Sequence, residues 1–296
     1  MPSRAEEVVI EPVVAEVSCA ALHKTLLIVA GAAYALSVLT LVLLPRRRQL
    51  AELRLFRAFL ALGLLSHATY IFSLTLWLGR PPFFGRAELL SWFAFGCAAI
   101  CLVAARWLSS RFVAGWGAAW AACVALWLGF TCRPEAIPHL APLGHFTAWW
   151  HGLATPLGCA AGVLAFAAQL RALPLALRAR RRTARGTGSI DEELTSPLAL
   201  GLVRLGYPLL LSGLVVLALG SLEAVGRAWF WQRTLSAQMF AVVVYTVYLH
   251  LSASEYVFRT RMFLVQSAAF CGVVVCVLSF DLPQSLLRGL GLGLFL

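Results

Sequence analysis

The chain has 296 residues, 61% of them hydrophobic and only 12% charged; its mean hydropathy is +0.84. So few charges cannot cover a water-soluble globule of this size, which makes the chain an integral membrane protein. The formal net charge of +11 is carried by 23 arginines and Lys24. Its distribution along the chain reads as a topology signal, and no nucleic-acid partner is expected.

Apolar runs of about 17 to 25 residues, the length a helix needs to cross the hydrocarbon of a bilayer, recur along the chain. Eight are present, near 25–44, 58–78, 89–105, 112–131, 146–170, 205–222, 234–253 and 263–280. Alternating ten-residue segments of the outer-membrane barrel kind are absent. The expected fold is therefore all-α, a polytopic helical bundle with about eight transmembrane helices. Residues 1–24 read as an external tail carrying Glu6, Glu7, Glu11 and Glu16. It lacks a basic n-region and a small-residue cleavage site, so the first apolar run is kept as a helix.

The arginines orient the bundle. Arg46, Arg47, Arg48, Arg54 and Arg57 follow helix 1, Arg106 and Arg111 follow helix 3, and Arg259 and Arg261 follow helix 7. The connection after helix 5 holds Arg171, Arg178, Arg180, Arg181, Arg182, Arg185 and Arg204. Sixteen of the 24 basic residues thus fall on one side, which the positive-inside rule assigns to the cytoplasm, with both termini outside. Segment 171–204 reads as a flexible Arg-rich cytoplasmic linker between helices 1–5 (25–170) and helices 6–8 (205–280). Helix 6 is expected to begin near Pro208, where proline is tolerated in a first turn. Residues 281–296 are too short to span and form an external C-terminal tail.

Histidines stand out against this apolar background. His67 falls near the middle of helix 2, where an imidazole needs a hydrogen-bond partner, a water path or a metal. The loop after helix 4 carries His139 and His145, and helix 5 opens as FTAWWHG, with His151 just inside the outer interface beside Trp149 and Trp150. Such Trp pairs serve as interface anchors, and a histidine among them is a candidate ligand. The stretch from Gly226 to His250 joins a Trp-rich loop (Trp229, Trp231, with Arg227 and Arg233) to an uncharged apolar helix that ends in His250. That loop and that histidine lie roughly 28 Å apart along a helix, too far for one planar ligand to bridge.

Cys97, Cys101, Cys123, Cys159, Cys271 and Cys276 fall in predicted helices and behave as small apolar residues. Cys19 and Cys132 alone could meet an oxidising compartment, and their pairing is open. No CxxC or CxxCH occurs. Nucleotide-binding, zinc-protease and serine-hydrolase motifs are also absent. No carboxylates are paired inside a span, which argues against an intramembrane proton or cation pump.

The C-terminal half resembles the cytochrome c assembly family of membrane proteins, the CcsA/ResC type, with which HemX proteins group. That family carries a WGxYWxWDPKE run on an outer loop before a helix ending in YLH. The matching positions here are Gly226, Trp229, Trp231 and, at the helix end, Tyr248, Leu249 and His250, while Gln232, Arg233, Thr234 and Leu235 replace the Asp-Pro-Lys-Glu run. FTAWWHG resembles the segment bearing an external haem-ligand histidine, here His151. GRPPFFGRAE resembles GHxPLSNLYE, keeping Gly79, Pro82 and Glu88 with Arg80 in the histidine's place, and RGLGL resembles GLHSY with Gly291 in place of a second external histidine.

The resemblance implies a haem-handling protein of the bacterial cytoplasmic (inner) membrane, part of a cytochrome c synthase or haem lyase. Haem would be taken at an inner ligand, His250, and presented at the Trp-rich outer face with His151 as one iron ligand. Trp229 and Trp231 would stack on the macrocycle, and Arg227 and Arg233 would pair with its propionates; His67 is a further candidate. Apocytochrome c is the implied partner, together with a second membrane subunit bearing a large external domain. Two alternatives stand beside it: a HemX-like protein linked to haem biosynthesis without synthase activity, and a structural scaffold with no haem.

Overall fold

The structure is a computed structural model and describes residues 7–43, 49–83, 85–107, 111–131, 146–183, 197–225, 233–253 and 259–279. Those residues form eight helices: α1 (Glu7–Leu43), α2 (Gln49–Leu78), α3 (Arg86–Trp107), α4 (Arg111–Thr131), α5 (Phe146–Thr183), α6 (Pro197–Val225), α7 (Arg233–Ala253) and α8 (Arg259–Leu278). There is no strand among the described residues. Seven helices are long and apolar enough to cross a membrane, and α8 carries a shorter apolar segment, Met262–Leu278. The protein is an all-α polytopic membrane bundle, as its hydropathy requires.

Several helices outrun their apolar spans. α1 begins at Glu7 although its span starts at Cys19, and α5 continues to Thr183 although its span ends at Arg171. Beyond Arg171 the chain is rich in Leu, Ala and Arg, good helix formers, so α5 propagates past its span; the flank of α1 is Val-rich with Pro12, and propensity does not explain its helix. α6 corrects one expectation. It starts at Pro197, so Pro208 lies inside the helix and not in its first turn. The run PLALGLVRLGY is apolar enough to hold the extra turns, and a proline suits the first helical position at 197.

Packing around α5 sets the architecture. Its span is the most buried of the seven, at 78%. It packs on α3 and α4 on one side and on α6 and α8 on the other, while α1 packs on α2 and α4, and α7 on α8. Small residues permit the closest approaches. A Cβ at Gly206 would lie 3.0 Å from the Gly158 carbonyl oxygen, and one at Gly158 would lie 3.1 Å from the Gly206 carbonyl oxygen, so the α5 and α6 backbones nearly touch.

One end of the bundle is tied together by its loops. α2 stops at Gly79, whose φ of 64° is the left-handed cap that glycine supplies without strain. Gly85 then precedes α3 and donates its N–H to Glu88 at 3.2 Å, one half of a capping box. Arg86 donates to the Leu278 carbonyl at 3.3 Å, and the Thr234 hydroxyl donates to the Ser279 carbonyl. Phe83 presses on Gly152. These contacts gather the α2–α3 turn and the starts of α5 and α7 around the end of α8; this is termed the upper end.

Candidate functional site

His151 occupies the second turn of α5 and is buried, 6% exposed. Its Nδ1 lies 3.0 Å from the Gly213 carbonyl oxygen on α6 and 3.1 Å from Thr155 Oγ1, one turn further along α5. A carbonyl oxygen only accepts, so Nδ1 carries the proton, and in the neutral ring the lone pair then resides on Nε2. Both hydrogen bonds of the ring among the described residues run through Nδ1, and none runs through Nε2. This is how a metal-ligating histidine is prepared: a backbone carbonyl fixes the tautomer and orientation through one nitrogen and leaves the other free to bind.

Neighbouring helices brace the ring. Gln238 on α7 donates through Nε2 to Thr155 Oγ1 at 3.2 Å and to the Leu210 carbonyl at 2.8 Å. Trp150 donates to Ser212 Oγ at 3.1 Å and stacks on Phe146 at a centroid distance of 6.2 Å. Gly213 is required by this arrangement, since a Cβ there would stand 2.7 Å from Thr155 Oγ1. Gln238 is five residues past Arg233, the first residue of α7, or roughly 8 Å along the helix. The His151 cluster therefore lies one to two turns below the point where the Trp-rich loop joins α7.

The remaining candidates separate. His67 is fully buried among α1, α2 and α3, with Nδ1 3.2 Å from the Tyr34 hydroxyl and Nε2 2.8 Å from Ser91 Oγ. Both ring nitrogens are engaged, and the rings of Tyr70 and Phe95 close the remaining sides. His250 lies at the other end of α7 in its last turn, exposed, while Tyr248 beside it is fully buried. It continues a stripe of exposed apolar residues, Phe240, Val243 and Val247, at helical spacing. Arg233 opens α7, while Arg227, Trp229, Trp231, His139, His145 and Cys132 lie outside the described residues.

Arg80, in the place of the resembled family's histidine, is committed elsewhere. Its two terminal nitrogens donate to the two Glu88 carboxylate oxygens at 3.1 and 3.0 Å, a bidentate pair with side chains 7% and 10% exposed. Thr155, Gln238 and Gly213 were not singled out in the sequence. The signal for Thr155 is its spacing of four from His151. Nothing in one sequence marks Gly213 or Gln238, because their roles arise from contacts between helices. His23 is a further buried histidine, 2% exposed, edge-on to Tyr70 and Trp77 with Nδ1 unpartnered. Among the described residues no group of three or more His, Cys, Asp or Glu could hold a metal ion.

No protein family and no curated protein matches the sequence. Among solved structures, the fold is similar to that of the cytochrome c heme lyase CcmF, with a TM-score of 0.65 at 16% sequence identity, covering 93% of this chain and 50% of that one. At that identity the likeness establishes the fold, and the chain spans about half the length of the protein it matches.

Proposed function

We propose that this chain is a haem-handling membrane protein of cytochrome c biogenesis, in which His151 ligates the haem iron at the upper end of the bundle. The single observation that carries the reading is the Nδ1–Gly213 bond, which fixes the His151 tautomer, with no hydrogen bond of the described residues running through Nε2. The fold likeness to a cytochrome c heme lyase supports it independently. In this reading His250 is the inner ligand, reached from the bilayer along the exposed α7 stripe, which offers the macrocycle an apolar face. Trp229 and Trp231 form the outer platform, and Arg227 and Arg233 meet the propionates.

Haem bound at His151 would supply the vinyl groups that become joined to the thiols of an apocytochrome c held by a partner subunit. The chain's own residues bind and orient: Gly213 and Thr155 hold the imidazole, and Gln238 holds Thr155. Localisation to a bacterial inner membrane, with the upper end outside, belongs to the same proposal. The test is co-expression with a CxxCH reporter in a strain lacking its own haem-attachment system. Covalent haem on the reporter supports attachment; haem on the purified chain with none on the reporter supports the HemX-like alternative; haem on neither leaves the scaffold reading.

A further inference from the structure

Along α5, His151, Thr155, Cys159, Gly162, Phe166 and Gln169 recur at steps of three and four residues and so share one face. α7 presents Gln238, Tyr245 and Tyr248 at the same spacing, and α8 presents Gln266 and Cys276. Contacts bring the three faces together. Gln238 bonds Thr155, a Cβ at Gly162 would lie 2.8 Å from the Tyr245 hydroxyl and 3.1 Å from Val273, and Phe166 stacks on Phe270 at 4.0 Å. The Cys159 thiol faces Cys276, and Tyr245 faces Cys159, Tyr248 and the Gln266 side chain. The antiparallel register that opposes Gly162 to Val273 and Phe166 to Phe270 sets Gln169 level with Gln266. From His151 to Gln169 the seam runs roughly 27 Å, about the thickness of the hydrocarbon layer.

This seam is rich in buried polar atoms that the described residues leave unbonded. They are Gln238 Oε1, the Tyr245 and Tyr248 hydroxyls, Gln169 Oε1 and both amide atoms of Gln266; the Tyr245 hydroxyl and the Gln266 amide are close enough to interact without meeting hydrogen-bond geometry. Each of these residues is between 0% and 3% exposed. Elsewhere His67 holds Tyr34 and Ser91 and Ser66 donates to Leu26, and the unbonded atoms His23 Nδ1 and Trp116 Nε1 stand singly and not in a row. An unbonded polar atom is costly in a protein interior, and lipid offers it no partner. The atoms also have a definite chemistry. Two phenols and an amide N–H₂ donate, while three carboxamide oxygens accept, and none of these side chains is charged. An anion would satisfy only the donors and a cation only the acceptors. Water satisfies both, with the two to four partners that a buried water takes.

We propose that the α5–α7–α8 seam holds a file of water molecules bridging Gln169, Gln266, Tyr248, Tyr245 and Gln238, which gives protons a route from the lower end of the bundle to the Thr155–His151 cluster. The seam needs no haem, so its fate is separate from that of the preceding reading.

Radiolytic footprinting in H₂¹⁸O on the full chain in lipid nanodiscs tests it, because radicals formed from bound water label the buried side chains beside them. Tyr245 and Tyr248 are expected to take up ¹⁸O several-fold faster than Tyr34, which is equally buried but bonded to His67. Gln266→Leu is expected to cut that labelling several-fold, and Gln169→Leu serves if the first variant does not fold. In ¹⁵N-histidine protein moved to D₂O, the same variant is expected to slow exchange of the His151 Nδ1 proton about tenfold. Labelling of Tyr245 and Tyr248 at the Tyr34 rate overturns the water file, and an unchanged His151 exchange rate overturns the proton route.

Discussion

The Nδ1 atom of His151 stands 3.0 Å from the Gly213 carbonyl oxygen across the α5–α6 interface, and that one bond distinguishes this imidazole from the other candidates. His67 spends both nitrogens on Tyr34 and Ser91, and His250 lies exposed at the end of α7. A histidine held by one nitrogen with the other left to bind is oriented before its ligand arrives, and His151 meets that condition.

Gly213→Ala is the most local perturbation of this arrangement. The added Cβ would lie 2.7 Å from Thr155 Oγ1 and 3.4 Å from Gln238 Nε2, so the cluster must shift. The expected cost is about 1–3 kcal/mol, the usual range for overpacking a tight contact. It is read as a lower midpoint in a thiol-reactive or light-scattering thermal assay in detergent.

His67→Ala is expected to act on stability alone. It strands the Tyr34 hydroxyl and Ser91 and opens a cavity in a fully buried site, for a cost of about 3 kcal/mol. Thermal unfolding should register that loss, while haem content per folded protein stays at the wild-type level. Loss of haem without loss of stability would instead make His67 a ligand.

Arg80 and Glu88 form a bidentate pair with side chains 7% and 10% exposed, so removing either partner leaves a buried charge. Arg80→Ala is expected to cost about 3 kcal/mol, and Arg80→Lys to recover only part of it because an ammonium cannot make the fork. Glu88→Ala should cost more than the ion pair alone, since Glu88 also accepts the Gly85 N–H that caps α3. Urea midpoints of the three variants order the effects.

At the α5–α6 crossing, Gly206→Leu is expected to separate the helices. A Cβ there meets Ala161 Cβ at 2.9 Å and the Gly158 carbonyl at 3.0 Å, and backbone cannot yield as a flexible side-chain tip can. Because this crossing also positions Gly213 against His151, the variant should lose the His151 bond along with stability. The ¹⁵N shift of His151 Nδ1 reports the first and thermal melting the second.

Hydropathy made the fold legible because the bilayer sets helix length and leaves a spanning chain few other ways to satisfy its backbone. Eight apolar runs became eight helices; where the two differ, past residue 170 and before Pro208 the flanks favour helix, whereas residues 7–18 are Val-rich and do not. The site was legible only in part. His151 was conspicuous because an imidazole among tryptophans has no place in an ordinary belt. The feature that distinguishes it from His67 is the partner on α6, and pairing between α5 and α6 is not encoded in local spacing. The orphaned Gln266 and Tyr245 were equally hidden, since a lone Gln or Tyr in an apolar run gains meaning only when its neighbours on other helices are known.

The central claim is that His151 carries a haem, and the optical spectrum of the full chain purified in mild detergent tests it most directly. The account predicts a Soret band in the wild type after expression with ample haem supply. It predicts loss or a clear shift of that band in His151→Ala, with the band retained in His67→Ala at equal amounts of folded protein. A Soret band that survives unchanged in His151→Ala, or its absence from the wild type at every haem loading, would contradict the account.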